Sequence, residues 1–301
     1  MRATTIYPAA ALLALSLAAC NNEEITPTPD TRVALQVTSG IQTRAYDATW
    51  EAGDEIGIFG YTQGDAPAQT YANAQYVTTN GNGSFIPAQE VNTIYLPTDN
   101  TPLDFVAYYP YTAGLENSIY TVDVTDQSDQ SAIDLIAADW ESADRISSKV
   151  SFNFVHKLSK IVINLAPGMG VTGDELEGMT VQLTGQKTAA TFDVTQPDGT
   201  VSITDPDQSE TLTLKANAEG TFAEGILLPS ENFDGMTLHL RLADGGFFNW
   251  TLNYSTEADQ FKAGHKYTYN ITVNRTDLYV TSTISDWTPG NGEDGENGDA
   301  Y

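Results

Sequence analysis

Short runs with an apolar residue at every second position follow one another through most of this chain. That period puts the apolar side chains of a run on one face of a β-strand, so each run predicts a strand with one buried face. The clearest runs are Val33, Leu35 and Val37; Phe152, Phe154 and Leu158; Leu212 and Leu214; Leu238, Leu240 and Leu242; Trp250, Leu252 and Tyr254; and Tyr267, Tyr269, Ile271 and Val273. Many short strands of this kind are typical of an all-β sandwich.

Turn dipeptides separate neighbouring runs at three places. Asn82-Gly83, Asp198-Gly199 and Asp244-Gly245 consist of residues that tolerate the positive φ of tight hairpin turns. They join residues 75–79 to 84–87, 191–195 to 200–204 and 237–243 to 247–254. The sequence therefore predicts antiparallel pairing of these strands.

A helical period is present at Ile133, Ile136, Ala137 and Trp140, and it weakly predicts one helix. Strands and helices do not alternate along the sequence, which excludes a dinucleotide-binding α/β fold. The polar stretch 123–149 precedes the strongest apolar run, 152–165, and favours a domain boundary near residues 150–160. We expect β-sandwich domains at 32–155 and 156–288, followed by an acidic, Gly-rich tail at 289–301.

The charge of the chain excludes one class of partner. Its 301 residues include 40 Asp and Glu but only 13 Lys and Arg, giving a formal net charge of -27. Nucleic acids and anionic lipid surfaces need a basic counter-surface, so a nucleic-acid partner is not expected. A single Cys excludes an internal disulfide and any site built from several thiolates.

The N-terminus has the features of an export signal. Arg2 precedes an apolar run at residues 9–19, which is too short to span a bilayer but suits a secretory signal peptide covering residues 1–19. The sequence Leu-Ala-Ala-Cys at 17–20 resembles a bacterial lipobox, in which the thiol of Cys20 takes a lipid; an ordinary signal with an incidental Cys20 is the alternative. Residues 20–31 would then form a lipidated acidic and Pro-containing tether, whose Asn21–Glu24 stretch resembles a surface-export tag.

No catalytic or metal-binding pattern emerges from the sequence. His156, His239 and His265 lack the spacing of metal ligands, and no nucleophile and base can be paired. His156 is in phase with the apolar residues before it and is expected to be buried, whereas His239 is expected to face solvent. We therefore predict neither an enzyme nor a cofactor.

Four segments resemble the fimbrillin family, the type V pilins that Gram-negative bacteria export as lipoproteins. They are Thr-Arg-Ala at 43–45 followed by WEAGDEIGIF at 50–59; FNFVHKLSKI at 152–161; AGHKYTYNI at 263–271; and Ile-Ser-Asp-Trp at 284–287. The resemblance implies two transthyretin-like β-sandwich domains in tandem. It also implies that an Arg-specific protease removes the first strand and that a donor strand from another subunit fills the groove left behind.

The residues near the N-terminus fit that scheme. Val33, Leu35 and Val37 would belong to the displaced strand 32–38, and a polar, flexible stretch containing Ser39-Gly40 would follow it. We predict cleavage between Arg44 and Ala45, since cleavage at Arg32 would leave the strand in place. The alternative is that Arg44 is an ordinary turn residue in an uncleaved protein.

The donor strand would come from residues 278–287. Its candidate residues are Leu278, Val280, Ile284 and Trp287, although the first three share their face with Ser282 and Asp286. The alternative is that this segment is the last strand of its own domain. Trp50, Gly53, Asp54, Phe154, His156 and Trp287 are expected to be fold determinants.

The predicted function is that of a non-catalytic fimbrial (pilus) subunit serving cell adhesion. Its lipidated (palmitate-bearing) precursor would sit in the outer membrane, and the mature chain would join other pilin subunits in a fimbrium. The expected partners also include the Arg-specific protease and a host glycan or protein receptor. One alternative is an uncleaved surface-anchored lipoprotein, which would be either a fimbrial anchor or a glycan-binding β-sandwich that uses some of the 15 Tyr and 4 Trp residues. A glycosidase is the third-ranked alternative.

Overall fold

The computed structural model describes residues 32–41, 49–64, 66–233, 235–252 and 260–286. Strands dominate these ranges, and the predicted all-β class is confirmed. The helices within them are short: a 3-10 turn at Glu90–Asn92 and α1 at Gly173–Leu176. The Glu175 carboxylate accepts a hydrogen bond of 2.7 Å from the Thr172 backbone N–H and thereby caps the start of α1.

Among the described residues, ten strands precede residue 157, and seven of them close a barrel. The ten are β1 Val33–Ala34, β2 Gln36–Ile41, β3 Glu55–Thr62, β4 Gln69–Val77, β5 Ser84–Pro87, β6 Tyr95–Leu96, β7 Leu103–Tyr109, β8 Ile119–Asp123, β9 Ile136–Ala143 and β10 Lys149–His156. The barrel order is β10-β2-β5-β4-β3-β7-β9, and β1 pairs with β6. Closure gives every barrel strand two hydrogen-bonded neighbours and leaves no free edge.

Eleven more strands form the second part of the described chain. They are β11 Ser159–Pro167, β12 Thr180–Gln186, β13 Ala189–Asp193, β14 Ser202–Ile203, β15 Glu210–Thr213, β16 Lys215–Ala216, β17 Phe222–Leu227, β18 Thr237–Arg241, β19 Phe247–Thr251, β20 His265–Val273 and β21 Leu278–Asp286. A five-stranded sheet has the order β16-β17-β11-β20-β21, and a four-stranded sheet has the order β15-β12-β18-β19. Buried residues of both sheets share one core, as in a sandwich.

Two hydrophobic cores are present in the described residues. The barrel core contains Leu35, Ile56, Tyr76 and Phe105, and the larger core contains Ile161, Leu183 and Tyr267 among others. Strand β8, from before residue 156, pairs with β13, which comes after it. The division of the chain at residues 155 and 156 into two domains stays a prediction.

The three predicted hairpins are confirmed. Asn82-Gly83 lies between β4 and β5, Asp198-Gly199 between β13 and β14, and Asp244-Gly245 between β18 and β19, and each of these strand pairs is antiparallel. Gly83 has a φ of 77°, and a Cβ added to it would lie 2.4 Å from the carbonyl oxygen of Ser39. Glycine is therefore required where this turn meets β2.

The predicted helix around residues 133–140 is wrong. Residues 136–143 form β9, which pairs with β7 and β10, and its register against β7 shifts between Phe105 and Ala107. Ile136, Ala137 and Ala138 are buried in succession because the two sides of this strand face different cores. A short strand buried on both faces loses its alternation and can imitate a helical period.

Candidate functional site

The first strand region, β1 and β2, is built into the barrel. β2 pairs in parallel with β10 and antiparallel with β5, and β1 pairs with β6. Leu35 and Val37 retain only 5% and 3% of their exposure, and Val33 is half-buried against the same core. The predicted alternation of these three residues is confirmed.

Hydrogen bonds fasten this region along its length. The Leu35 N–H donates to Ile94 O at 2.9 Å, and the Gln36 N–H donates to Ser148 O at 2.8 Å. Farther along, the Ser39 N–H donates to Gly83 O at 2.7 Å, and the Thr38 hydroxyl donates to Val150 O at 3.1 Å. The strand is thus held on both sides by the backbone and on one side also by a side chain.

The strand is longer than the sequence indicated. The sequence predicts a flexible stretch at Ser39 and Gly40, but β2 continues through both and ends at Ile41. Ser39 contributes a buried Oγ without a hydrogen-bond partner among the described residues. Polar and glycine residues suggest a loop locally, whereas pairing of both residues with β10, and the bond from the Ser39 N–H to Gly83 O on the other side, keeps them extended.

Loss of the first strand region would change the barrel in two ways. The edges of β5 and β10 that face β2 would lose their hydrogen-bonded neighbour, and the space filled by Leu35 and Val37 would open next to buried side chains such as Phe85. Unpaired strand edges beside an apolar groove are what an added strand from another chain recognises. The geometry is therefore suited to exchange of a strand.

The last strand has different surroundings. β21 lies at the edge of its sheet and pairs with β20 over nine residue pairs, from Val273 with Leu278 to His265 with Asp286. Leu278 and Val280 are half-buried against the larger core, whereas Tyr279 and Ile284 are 50% and 39% exposed. The segment is thus the last strand of its own sheet, and its apolar face is only partly covered.

Four predicted site residues lie outside the described residues. They are the lipidation site Cys20, the cleavage site Arg44 and Ala45, and the donor candidate Trp287. In the sequence, the cleavage site falls between the end of β2 at Ile41 and Thr49, where the described chain resumes.

Predicted fold determinants from separate segments pack around Trp50. Trp50 packs edge-on against Phe85, Tyr109 and Phe154 at ring distances of 4.9, 5.4 and 5.3 Å. The Asp54 carboxylate accepts a 2.7 Å hydrogen bond from the Glu51 N–H, which closes the turn through Gly53. Edge-to-face packing and a closed turn both stabilise the barrel, as expected for these residues.

A polar cavity of about 480 Å³ lies beside Trp50. The Tyr109 hydroxyl donates to Asp54 Oδ1 at 3.3 Å, and His156 Nδ1 lies 2.9 Å from Asp134 Oδ1. Burial raises the pKa of Asp54, and burial together with the Asp54 charge raises the pKa of Tyr109. His156 is buried as predicted. The Tyr109–Asp54 and His156–Asp134 pairs each join different segments of the chain, and we attribute a structural role to both pairs.

Exposed aromatic side chains bear on the glycan-binding alternative. Among the described residues, the most exposed are Trp140 on β9, Phe247 on β19 and Tyr279 on β21, which belong to three different sheets. Trp140 contacts the half-buried Tyr61 edge-on at 5.5 Å, and Phe247 stacks on His239 at 5.7 Å. His239 lies on an outer sheet face, half-buried by this contact. Scattered aromatics of this kind do not form a continuous platform for a sugar chain.

In the described part of the chain, no group of three His, Cys, Asp or Glu side chains is arranged to hold a metal ion. None of the helices in the same ranges is long and apolar enough to cross a membrane.

Comparison with known proteins gives consistent matches. A model of the fimbrillin-like family matches residues 43–287. A Bacteroides uniformis protein assigned as a fimbrium subunit, Fim1C, is 44% identical over 303 residues, covering 97% of this chain and 97% of that protein. A crystal structure of a B. uniformis protein assigned to cell adhesion has 40% identity and a TM-score of 0.77, covering 87% of this chain and 100% of that chain. The tip fimbrial protein Mfa3 of Porphyromonas gingivalis, solved with a C-terminal truncation, covers 85% of this chain and 100% of its own at a TM-score of 0.52; at 10% identity it shows a shared fold alone.

Proposed function

This chain belongs to the fimbrillin-like family, and we propose that it is a non-catalytic structural subunit of a fimbrium that serves cell adhesion. The subunit is made as a lipoprotein, cut after Arg44 and assembled by exchange of a β-strand between subunits. The observation that carries this proposal is the position of β2, whose removal would open a barrel along two strand edges.

The N-terminal sequence supports export and anchoring as parts of this proposal. Signal peptidase would cut before Cys20, and the lipid on its thiol would hold the precursor in the outer membrane. Residues 20–31 would act as the tether between the lipid and the folded part. The precursor is thus delivered to the cell surface with its barrel still closed by its own first strand.

Cleavage between Arg44 and Ala45 would then release the body from its lipid. The cut would also break the covalent link between the body and the first strand region, so that only hydrogen bonds and apolar contacts hold β1 and β2 in place. A strand from another subunit can replace them. The edge strand β21 is suited to donate, because it has one hydrogen-bonded neighbour and its apolar face is only partly covered.

The proposal is tested by intact mass and N-terminal sequencing of the protein from the native cell surface, before and after treatment with an Arg-specific protease. The expected product begins with Ala45-Tyr46-Asp47 and runs as an SDS-resistant ladder of multimers. A chain that keeps a lipidated Cys20, resists the protease at Arg44 and stays monomeric would overturn the proposal. That result would favour the uncleaved anchor or the glycan-binding lipoprotein instead.

A further inference from the structure

A seven-residue segment of the first strand region, β1 and β2, matches a segment of the last strand, β21, at five positions. Residues 35–41 read LQVTSGI and residues 278–284 read LYVTSTI, so that Leu, Val, Thr, Ser and Ile coincide in order, in spacing and in chain direction. The differing positions are Gln36 against Tyr279 and Gly40 against Thr283. The two segments lie at opposite ends of the described chain and pair with different strands.

Both differing positions face outward in the barrel. Gln36 is exposed, so the larger ring of a tyrosine has room there. A Cβ added at Gly40 would meet no atom within 4 Å, and Gly40 is not among the glycines with positive φ, so a threonine fits both the space and the backbone. The sequence differences thus fall where the barrel makes no demand on the side chain.

Four of the five matching positions, Leu35 and residues 37–39, carry side chains that the barrel constrains. Leu35 and Val37 are buried to 5% and 3% exposure, whereas Leu278 and Val280 are only half-buried in β21. Thr38 donates its hydroxyl to Val150 O at 3.1 Å, and Thr281 carries the same hydroxyl at the equivalent position. Ser39 has a small side chain whose Oγ is buried, and Ser282 reproduces it in size.

We infer that the groove left by the first strand is built for residues 278–284 of a second copy of this same chain. In this register Leu278, Val280 and Ser282 take the places of Leu35, Val37 and Ser39. The donor runs parallel to β10 and antiparallel to β5, as β2 does. The inference rests on the proposed strand exchange, and it names the partner and the register, which the exchange by itself leaves open.

Two differences in surroundings favour the donor segment in the groove over the same segment in β21. In β21 the segment has one hydrogen-bonded neighbour, whereas in the groove it has two, β5 and β10. Its leucine and valine also pass from half-buried to nearly complete burial, which removes apolar surface from water. The ladder with β20 is lost in return, so the exchange depends on the prior release of the first strand.

The register can be tested by disulfide trapping. Thr38 and Ser84 are directly opposite, and because the neighbouring Ser39 and Gly83 are a hydrogen-bonded pair, Thr38 and Ser84 are a non-hydrogen-bonded pair. The Cα atoms of such a pair are about 4.5 Å apart, within the range a disulfide spans. Thr281 of the donor should therefore lie opposite Ser84 of the acceptor.

The experiment mixes two purified, differently tagged chains, one carrying Ser84→Cys and the other Thr281→Cys, and cleaves both at Arg44 so that Cys20 is removed. The matched control replaces Thr281→Cys with Thr283→Cys, which lies two residues, or about 7 Å, farther along the same face. After mild oxidation, the pair with Thr281→Cys should give at least about tenfold more mixed disulfide than the control pair. Circular dichroism checks that all three variants are folded.

Each outcome decides something different. Ladders of multimers with the mixed disulfide at Thr283, or at neither position, would overturn the register while leaving strand exchange intact. Ladders that form only when another fimbrial protein is added would overturn the choice of a second copy as donor. Cleaved chains that form no multimers under any condition would overturn both this inference and the proposed function.

Discussion

The first strand region, β1 and β2, and the last strand, β21, differ far more in their surroundings than in their sequences. β2 is held by β5 and β10 inside a closed barrel, whereas β21 lies at a sheet edge beside β20. Leu35 is 5% exposed, while its counterpart Leu278 is only half-buried. Burial of a strand is thus set by the neighbours that the topology supplies, and one short sequence can serve in two places.

The largest expected effect comes from blocking the cleavage, which keeps the first strand region covalently attached to the rest of the chain. Replacing Arg44→Ala should abolish the SDS-resistant ladder, because β2 then remains tethered to the groove and the donor cannot displace it. Intact mass after protease treatment, together with gel analysis, measures both effects. Arg32→Ala is the matched control and should leave cleavage and the ladder unchanged; a ladder from the Arg44 variant would contradict the expectation.

A charge on the inward face of the donor should weaken assembly without unfolding the precursor. Val280→Asp should lower multimer yield at least about tenfold, because burying an unpaired carboxylate in the groove costs several kcal/mol. Tyr279→Asp, on the outward face, should assemble like the original chain. Equal losses in the two variants, measured by size-exclusion chromatography of cleaved protein, would show that the faces are assigned wrongly.

Replacing each of the two equivalent leucines with alanine should lower the free energy of unfolding by different amounts, because the two side chains are buried to different extents. In the uncleaved chain, Leu35→Ala should lower the free energy of unfolding by about 2–5 kcal/mol, since it leaves a cavity in the barrel core. Leu278→Ala should cost only about 1 kcal/mol, because less of its surface is buried. Urea denaturation measures both values, and similar losses for both variants would remove the contrast.

The smallest expected effect concerns the two equivalent threonines. Thr38→Val should cost the uncleaved chain about 1 kcal/mol, because Val150 O loses its hydroxyl donor. Thr281→Val should change the stability of that chain by less than about 0.5 kcal/mol and weaken only the multimer. Thermal unfolding of the precursor and dilution of the multimer give the two readouts. A larger loss for Thr281→Val in the precursor would argue against this assignment.

Much of the fold was predictable because local signals determine it. Alternating apolar residues predict strands, and Asn-Gly or Asp-Gly dipeptides predict the hairpins at Asn82, Asp198 and Asp244. The wrong helix prediction over the residues that form β9 also comes from a local signal. Consecutive buried residues in β9 face two cores, so the alternation that identifies a strand is lost there.

The pairing that defines the candidate site was not predictable from local signals. β2 and β10 lie more than a hundred residues apart and pair in parallel, and neither their pairing nor the extension of β2 through Gly40 leaves a turn signal in the sequence. Comparing the chain with itself would have revealed the match between residues 35–41 and 278–284. The two positions that differ, Gln36 and Gly40, are both exposed in the barrel, which the sequence does not show.

The walls of the groove receive two strands in succession. Phe85 lies opposite Val37, and Phe152 lies opposite Ser39, and both aromatic side chains are buried. Once the chain is cut, the balance between the old strand and its replacement is a ratio of two affinities for one surface. A change in either wall lowers both affinities and largely cancels in the ratio. The strands themselves, and the timing of the cut, therefore determine which of the two occupies the groove.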